Sequence, residues 1–171
     1  MTISKDLTSR LSRALGKRDR DTASALAASA IVWSLILGCG ISALGLWQEE
    51  PLLHLFGASA EILGTARAYL TPLLWATPAM CLSFVLSQLL RAEGLATYSM
   101  IVLAAGSICN IILDPILISG VGMGIAGAST ATLVSQIVSA LILLSAYVFR
   151  KSHLRPFSHL GIKSFLLFGK I

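Results

Sequence analysis

Asp114 is the residue best placed to do chemistry, because it is the only charged side chain in the apolar stretch 95–149. If that stretch crosses a membrane, a charge near its centre costs roughly 2.5–3.5 kcal/mol on insertion scales and marks a functional site. Asn110 lies four residues earlier, on the same helix face, and Pro115 removes a hydrogen bond and frees the Ile111 carbonyl. These groups form a candidate Na⁺ or H⁺ site. The alternative is a helix kink with Asp114 as a cap.

The last apolar segment carries a second polar cluster. Its members recur at spacings of three and four residues, so they share one helix face: Ser129, Thr132, Gln136 and Ser139. Thr132 is a candidate partner for Asp114, and Gln136 is a candidate cavity-lining residue. The alternative for both is helix packing, in which hydroxyl groups bond back to their own helix. Gly127 and neighbouring small residues favour close packing of helices.

Ser87 and Gln88, on an earlier apolar segment, are two further candidate cavity-lining residues. Ser83 shares a helix face with Ser87. Pro72 and Pro78 predict a bend in the same helix.

Other kinds of site are not indicated by the sequence. It has no nucleophile–base–acid arrangement, phosphate-binding loop or metal-ligand cluster, so we do not expect an enzyme, a cofactor or a metal beyond Na⁺ at Asp114. Cys39, Cys81 and Cys109 fall in apolar segments without a CxxC spacing. This pattern favours buried small hydrophobes rather than a disulfide framework or a zinc site.

The composition of the chain is that of a membrane protein. Of its 171 residues, 56% are hydrophobic and 12% charged, against roughly 25% charged in ordinary globular proteins. No Asp, Glu, Lys or Arg occurs in 22–48 or in 115–149. Because a bilayer core takes about 20 apolar residues as a helix, these runs predict membrane spans.

Four spans are predicted, so the fold class is an all-α, polytopic membrane helix bundle. Their approximate limits are 23–47, 68–90, 95–119 and 124–149. The segments are continuously apolar rather than alternating, so helices are the spanning structure they support. Together they define a four-helix transmembrane region, 23–149.

The basic residues concentrate at the two ends of the chain. Segment 1–22 is basic, and segment 150–171 mixes Lys and Arg with apolar residues as an amphipathic helix would. The positive-inside rule then places both termini in the cytoplasm of a multi-pass protein of the cell membrane. The net charge of +5 is therefore a topology signal and does not indicate nucleic-acid binding.

The connection between the first two spans is partly apolar. It predicts a short interfacial helix that begins at Pro51, with Ser59 as an N-cap for an extension of the second span. Trp47 and Tyr147 lie at span ends, where aromatic side chains anchor helices to membrane interfaces.

Several motifs resemble those of the multidrug and toxic compound extrusion (MATE) family. The order and spacing of 90–94 (LRAEG), 110–115 (NIILDP) and 122–132 (GMGIAGASTAT) are similar to the fourth, fifth and sixth helices of its amino-terminal lobe. Segment 12–16 (SRALG) is more weakly similar to the connection after the second helix. The four predicted spans then correspond to helices three to six.

The resemblance implies both a fold and an activity. MATE transporters have twelve helices in two lobes and export organic cations and other xenobiotics in exchange for Na⁺ or H⁺. In many members an Asn and an Asp of the fifth helix and a Thr of the sixth form the cation site. Carried over to this sequence, these residues are Asn110, Asp114 and Thr132. A polar residue of the fourth helix would be Ser87 or Gln88.

By this resemblance we expect the chain to supply four of the twelve helices, without the first-helix Asp that also contributes to the family's cation site. The remainder of a transporter, in cis or in trans, is therefore an expected partner, together with the lipid bilayer and the xenobiotic. Two alternatives remain: a non-transporting membrane remnant or interaction protein, and a drug exporter assembled as an oligomer of four-helix units.

Overall fold

The computed structural model describes residues 20–148. It contains five α-helices, which we label α1 (Arg20–Trp47), α2 (Glu49–Leu55), α3 (Leu63–Ala92), α4 (Ala96–Pro115) and α5 (Ile125–Val148). A π-helical turn, Ile116–Gly120, continues α4. All but α2 are long and apolar enough to cross a membrane, so the predicted four-span, all-α class is confirmed. Segment 150–171 and almost all of segment 1–22 lie outside the described residues.

The four long helices alternate in direction. We call the end of the bundle that carries α2 and the 116–124 loop the upper end, and the end that carries the 93–95 turn the lower end. α3 is the central helix, because it packs against α1, α4 and α5. α4 is the least buried of the four.

The fully packed core lies at the lower end. It joins the first turns of α1 to the last turns of α3 and α5 around fully buried residues such as Ala27, Leu90 and Leu143. Toward the upper end, large apolar side chains stand exposed on the bundle, among them Trp47, Phe56 and Ile111. In a membrane such surfaces face lipid or other helices.

Several local predictions differ from the structure. α3 begins at Leu63, so the predicted extension of the second span is present, but it is shorter than expected because Ile62 rather than Ser59 occupies the N-cap position. Ser59 sits in an irregular segment, since the short helix α2 ends at Leu55 and a turn follows. Pro72 and Pro78 lie within α3, which continues through both, and the predicted bend of this helix stays a prediction.

One burial prediction failed, and one of the two aromatic side chains at span ends is covered by neighbouring helices. Tyr147 is buried at 7% exposure in the lower core, where α1, α3 and α5 meet, whereas Trp47 is 80% exposed at its span end, as expected for an interfacial residue. Cys39 is exposed, and only Cys81 and Cys109 are partly buried. Sequence places a residue along a helix, but the neighbouring helices decide which side is covered.

Candidate functional site

Asn110 and Thr132 meet across the contact between α4 and α5. The Asn110 side-chain amide donates a hydrogen bond to the Thr132 hydroxyl, with an Nδ2–Oγ1 distance of 3.4 Å. The Thr132 hydroxyl in turn donates to the backbone carbonyl of Ala128 at 3.1 Å, which fixes its orientation. The amide oxygen of Asn110 takes no part in this bond, so it remains a ligand of the right type for a cation.

Asp114 lies one helical turn above Asn110, near the end of α4, and is half-buried. Its Oδ1 atom is buried and has no hydrogen-bond partner among residues 20–148. Burying a carboxylate oxygen without a partner is unfavourable, so this atom marks a position where a proton or a cation would be stabilising. The structure thus joins Asn110 to Thr132 and leaves Asp114 unpaired beside them.

The π-helical turn after Pro115 sets the geometry of the upper end. Its backbone approaches α5 so closely that a Cβ on Gly127 would lie 2.7–2.9 Å from backbone atoms of Leu117 and Ile118. Gly122 and Gly124 then reverse the chain with φ angles of +76° and +57°, a region that favours glycine. π-Helical turns are frequent at functional sites, and this one holds the Asp114 end of α4 against the start of α5.

A cavity of about 520 Å³ opens between α3, α4 and α5 below this pair. Its polar lining is formed by Ser83, Ser87, Gln88, Arg91 and Gln136. Its apolar lining is formed by Met80, Cys81, Phe84 and Leu103. The three candidate cavity-lining residues, Ser87, Gln88 and Gln136, therefore share one cavity.

Gln136 connects the cavity with the Asn110–Thr132 pair. It follows Thr132 by four residues on α5, which is one turn, or about 6 Å along the helix axis. The two sets of polar residues are thus neighbours on one helix face rather than separate sites.

Ser99 is a polar residue of this region that the sequence analysis missed. Its hydroxyl lies 2.7 Å from the Ser87 hydroxyl, and both side chains are buried between α3 and α4. Ser83 reaches α5 through a longer contact of 3.5 Å to the Gln136 carbonyl. The sequence feature that could have indicated this contact is the position of Ser99, a hydroxyl residue near the start of the apolar span 95–119.

The other polar residues of α5 serve packing. Ser129 donates to the Ala126 carbonyl at 3.1 Å, and Ser135 donates to the Ala131 carbonyl at 2.6 Å, so both bond to their own helix. Ser139 fits against Gly106 of α4, where a Cβ would collide with the serine side chain. For these positions the packing interpretation describes the structure.

A charged cluster at the upper end was not predicted from the sequence. Arg67 of α3 lies 3.4 Å from the Glu49 carboxylate and 3.5 Å from the Glu50 carboxylate of α2. Thr71 donates a hydrogen bond to Glu49 at 2.5 Å. These contacts tie α2 to α3. The sequence pattern that could have predicted this cluster is the acidic pair Glu49 and Glu50 at the start of the connection between the first two predicted spans, with Arg67 at its end.

The chemistry that this arrangement supports is oxygen ligation of a small cation or binding of a proton. Carboxylate, amide and hydroxyl oxygens suit hard cations such as Na⁺ and offer nothing specific to soft metals. Within the described part of the chain, no group of three or more His, Cys, Asp and Glu side chains could hold a metal ion.

Comparison with known proteins identifies relatives of the chain. The MatE family model matches residues 1–116. The multidrug export protein MepA of Staphylococcus saprophyticus is 36% identical over 142 residues, which are 83% of this chain and 31% of that protein. MepA of Staphylococcus aureus strain bovine RF122 is 32% identical over 134 residues, or 78% of this chain and 30% of that protein.

Solved structures agree with the sequence relatives. A MATE structure in a bent conformation matches with a TM-score of 0.83 and 34% identity, over 86% of this chain and 33% of that one. A MATE-family multidrug resistance transporter in an inward-facing conformation matches with a TM-score of 0.83 and 32% identity, over 93% of this chain and 36% of that one. A MATE-family multidrug resistance transporter in an outward-facing conformation matches with a TM-score of 0.81 and 32% identity, over 93% of this chain and 35% of that one. The chain thus spans about a third of the length of the relatives it matches.

Proposed function

Because this chain belongs to the MatE family, we propose that it forms part of a transporter that exports xenobiotics in exchange for Na⁺ or H⁺. The family is one of multi-pass membrane transporters and not of enzymes. The observation that carries the proposal is the Asn110–Thr132 hydrogen bond beside the buried, unpaired Oδ1 atom of Asp114.

In this proposal Asp114 binds the coupling ion. An unpaired carboxylate oxygen, an amide oxygen and a fixed hydroxyl supply oxygen ligands for Na⁺, or a carboxylate that accepts a proton. Loading the site neutralises Asp114, which changes the charge beside Pro115 and the π-helical turn. Na⁺ and H⁺ both fit this geometry.

The cavity is the proposed xenobiotic site of this unit. Ser87, Gln88 and Gln136 line the cavity among apolar side chains, and the two glutamines offer hydrogen bonds, a lining that suits organic molecules of varied shape. Gln136 lies one turn from Thr132, so ion and xenobiotic would act on the same face of α5. The remainder of the transporter, in cis or in trans, supplies the other walls, because alternating access requires two repeats that move against each other.

Ion-driven export is tested by replacing the matching third of the S. saprophyticus relative with this chain. In everted vesicles the hybrid should export a fluorescent organic cation when a Na⁺ or H⁺ gradient is imposed. The unmodified relative controls for vesicle quality. A hybrid that inserts in amounts equal to the parent but exports nothing under either gradient would contradict the proposal.

We also propose that both termini are cytoplasmic and that the upper end faces outward, in the cell membrane. Single cysteines in place of His54 and Thr97, which are exposed at opposite ends of the bundle, test the orientation in a background without the native cysteines. An impermeant thiol reagent added to intact cells should label position 54 and not position 97. The reverse pattern would contradict the orientation.

A further inference from the structure

Arg91 gives the cavity a charge that the transport proposal does not use. It is exposed at the lower end of α3 and lines the cavity. Among residues 20–148 it makes no ion pair, since the ion pairs found there join Arg67 to Glu49 and Glu50. The nearby Glu93 carboxylate lies beside the buried Tyr147 side chain instead.

The cavity is polar and charged toward one end and more apolar toward the other. Gln88 and Arg91 lie in the last two turns of α3, whereas Met80 and Phe84 lie one to three turns further in. Met80 lies eleven residues before Arg91, which corresponds to about 16 Å along the helix axis, close to half of a bilayer core of about 30 Å. A cavity of this length would reach from a membrane surface at the lower end to roughly the middle of the bilayer.

The depth and polarity of the cavity match those of one lipid in one leaflet. Phe84 and Met80, which line the inner part of the cavity beside Ser83 and Gln136, are exposed at 58% and 41% and offer an acyl chain apolar contacts. A guanidinium binds a phosphate through paired hydrogen bonds, and the Gln88 side chain, one turn away on the same helix, also lines the cavity and can bond a glycerol backbone.

We propose that this cavity binds an anionic phospholipid, with the headgroup phosphate at Arg91 and an acyl chain along Phe84 and Met80. The site is independent of which membrane surface the lower end occupies and of ion-coupled export, so its test needs no transport. Arg67 is the matched control because it is also a surface arginine of α3 but already pairs with Glu49 and Glu50 at the upper end.

The test measures lipid retained by the purified chain, using native mass spectrometry after exchange with equal amounts of phosphatidylglycerol and phosphatidylcholine of identical acyl chains. The wild type should retain phosphatidylglycerol in roughly fivefold preference, the gain expected from one arginine near an anionic headgroup. Arg91→Gln should lose the preference, and Arg91→Lys and Arg67→Gln should keep it. Equal retention of both lipids by the wild type, or equal loss in Arg91→Gln and Arg67→Gln, would overturn the proposal.

Two further arms locate the ligand and separate a lipid from a free anion. Phosphatidylglycerol with a photoreactive acyl chain should label the peptide that contains Met80 and Phe84, and label spread evenly over the four long helices would overturn the site. Glycerol 3-phosphate, which has the headgroup without the tail, should not displace the lipid at equal concentration. Full displacement would show an anion site without a place for the acyl chain and would overturn the lipid assignment.

Discussion

The Asn110 amide and the Thr132 hydroxyl are joined by a 3.4 Å hydrogen bond that crosses from α4 to α5. This contact fixes the relative height of the two helices immediately below Asp114, whose Oδ1 atom is buried and unpaired within the described part of the chain. A proton or Na⁺ at Asp114 would therefore act on two helices at once.

Thr132→Ala should reduce ion-driven export several-fold, because it removes the hydroxyl that accepts from Asn110. Thr132→Ser keeps the hydroxyl and should retain most of the activity. Hydrogen bonds between membrane helices average about 0.6 kcal/mol, so neither variant should prevent folding. Export by the hybrid transporter under a fixed gradient measures the effect, and equal activity of both variants would show that the hydroxyl is dispensable.

Gly127→Ala should destabilise the upper end. Its Cβ would meet the backbone of Leu117 and Ile118, which cannot move without disturbing the π-helical turn, whereas a Cβ on Gly120 meets nothing within 4 Å. Overpacking of this kind costs about 1–3 kcal/mol. Thermal unfolding in detergent should show a lower midpoint for Gly127→Ala and little change for the control Gly120→Ala. A stabilised Gly127→Ala would mean that α5 does not approach the turn so closely.

Gly38→Ala should weaken the contact between α1 and α3. A Cβ at this position would lie 2.8 Å from the Pro78 Cα atom, but one on Gly40, two residues along the same helix, meets nothing within 4 Å. Small residues let membrane helices pack closely, so the clash must be relieved by separating the helices. Cross-linking of cysteines introduced at facing positions of α1 and α3 should slow in Gly38→Ala and not in Gly40→Ala. Equal cross-linking rates in the two variants would contradict this close approach.

Removing the charge of Arg67 should loosen α2 from α3. The Arg67 guanidinium contacts both Glu49 and Glu50, and its side chain is 50% exposed, so the expected coupling is below about 1 kcal/mol and sensitive to salt. A double-mutant cycle with Glu49→Gln and Arg67→Gln, monitored by proteolysis of the 56–62 segment, measures it. Coupling that is zero at low salt would show that these ion pairs do not hold α2.

The sequence predicts the spans well because long runs of apolar residues have one stable arrangement in a bilayer. It also predicts that Asn110 and Asp114 share a helix face, since helical periodicity fixes that relationship. It does not predict which side of a helix is covered, which is why Tyr147 is buried and Cys39 exposed against expectation. The Ser87–Ser99 contact was missed for the same reason, because it depends on how two helices are rotated against each other.

The four-helix unit resembles MATE-family structures described as inward-facing and as outward-facing to nearly the same degree, with TM-scores of 0.83 and 0.81.

The most direct test of the account is export by the hybrid transporter with Asp114→Asn, measured under imposed Na⁺ and H⁺ gradients and compared with Glu61→Gln. Asparagine keeps the size of the side chain but cannot carry the charge, and Glu61 is an exposed carboxylate in the connection before α3. The account predicts that Asp114→Asn inserts normally and loses gradient-driven export, while Glu61→Gln exports as the parent does. Normal export by Asp114→Asn under both gradients would contradict the account and leave Asp114 a structural residue at the end of α4.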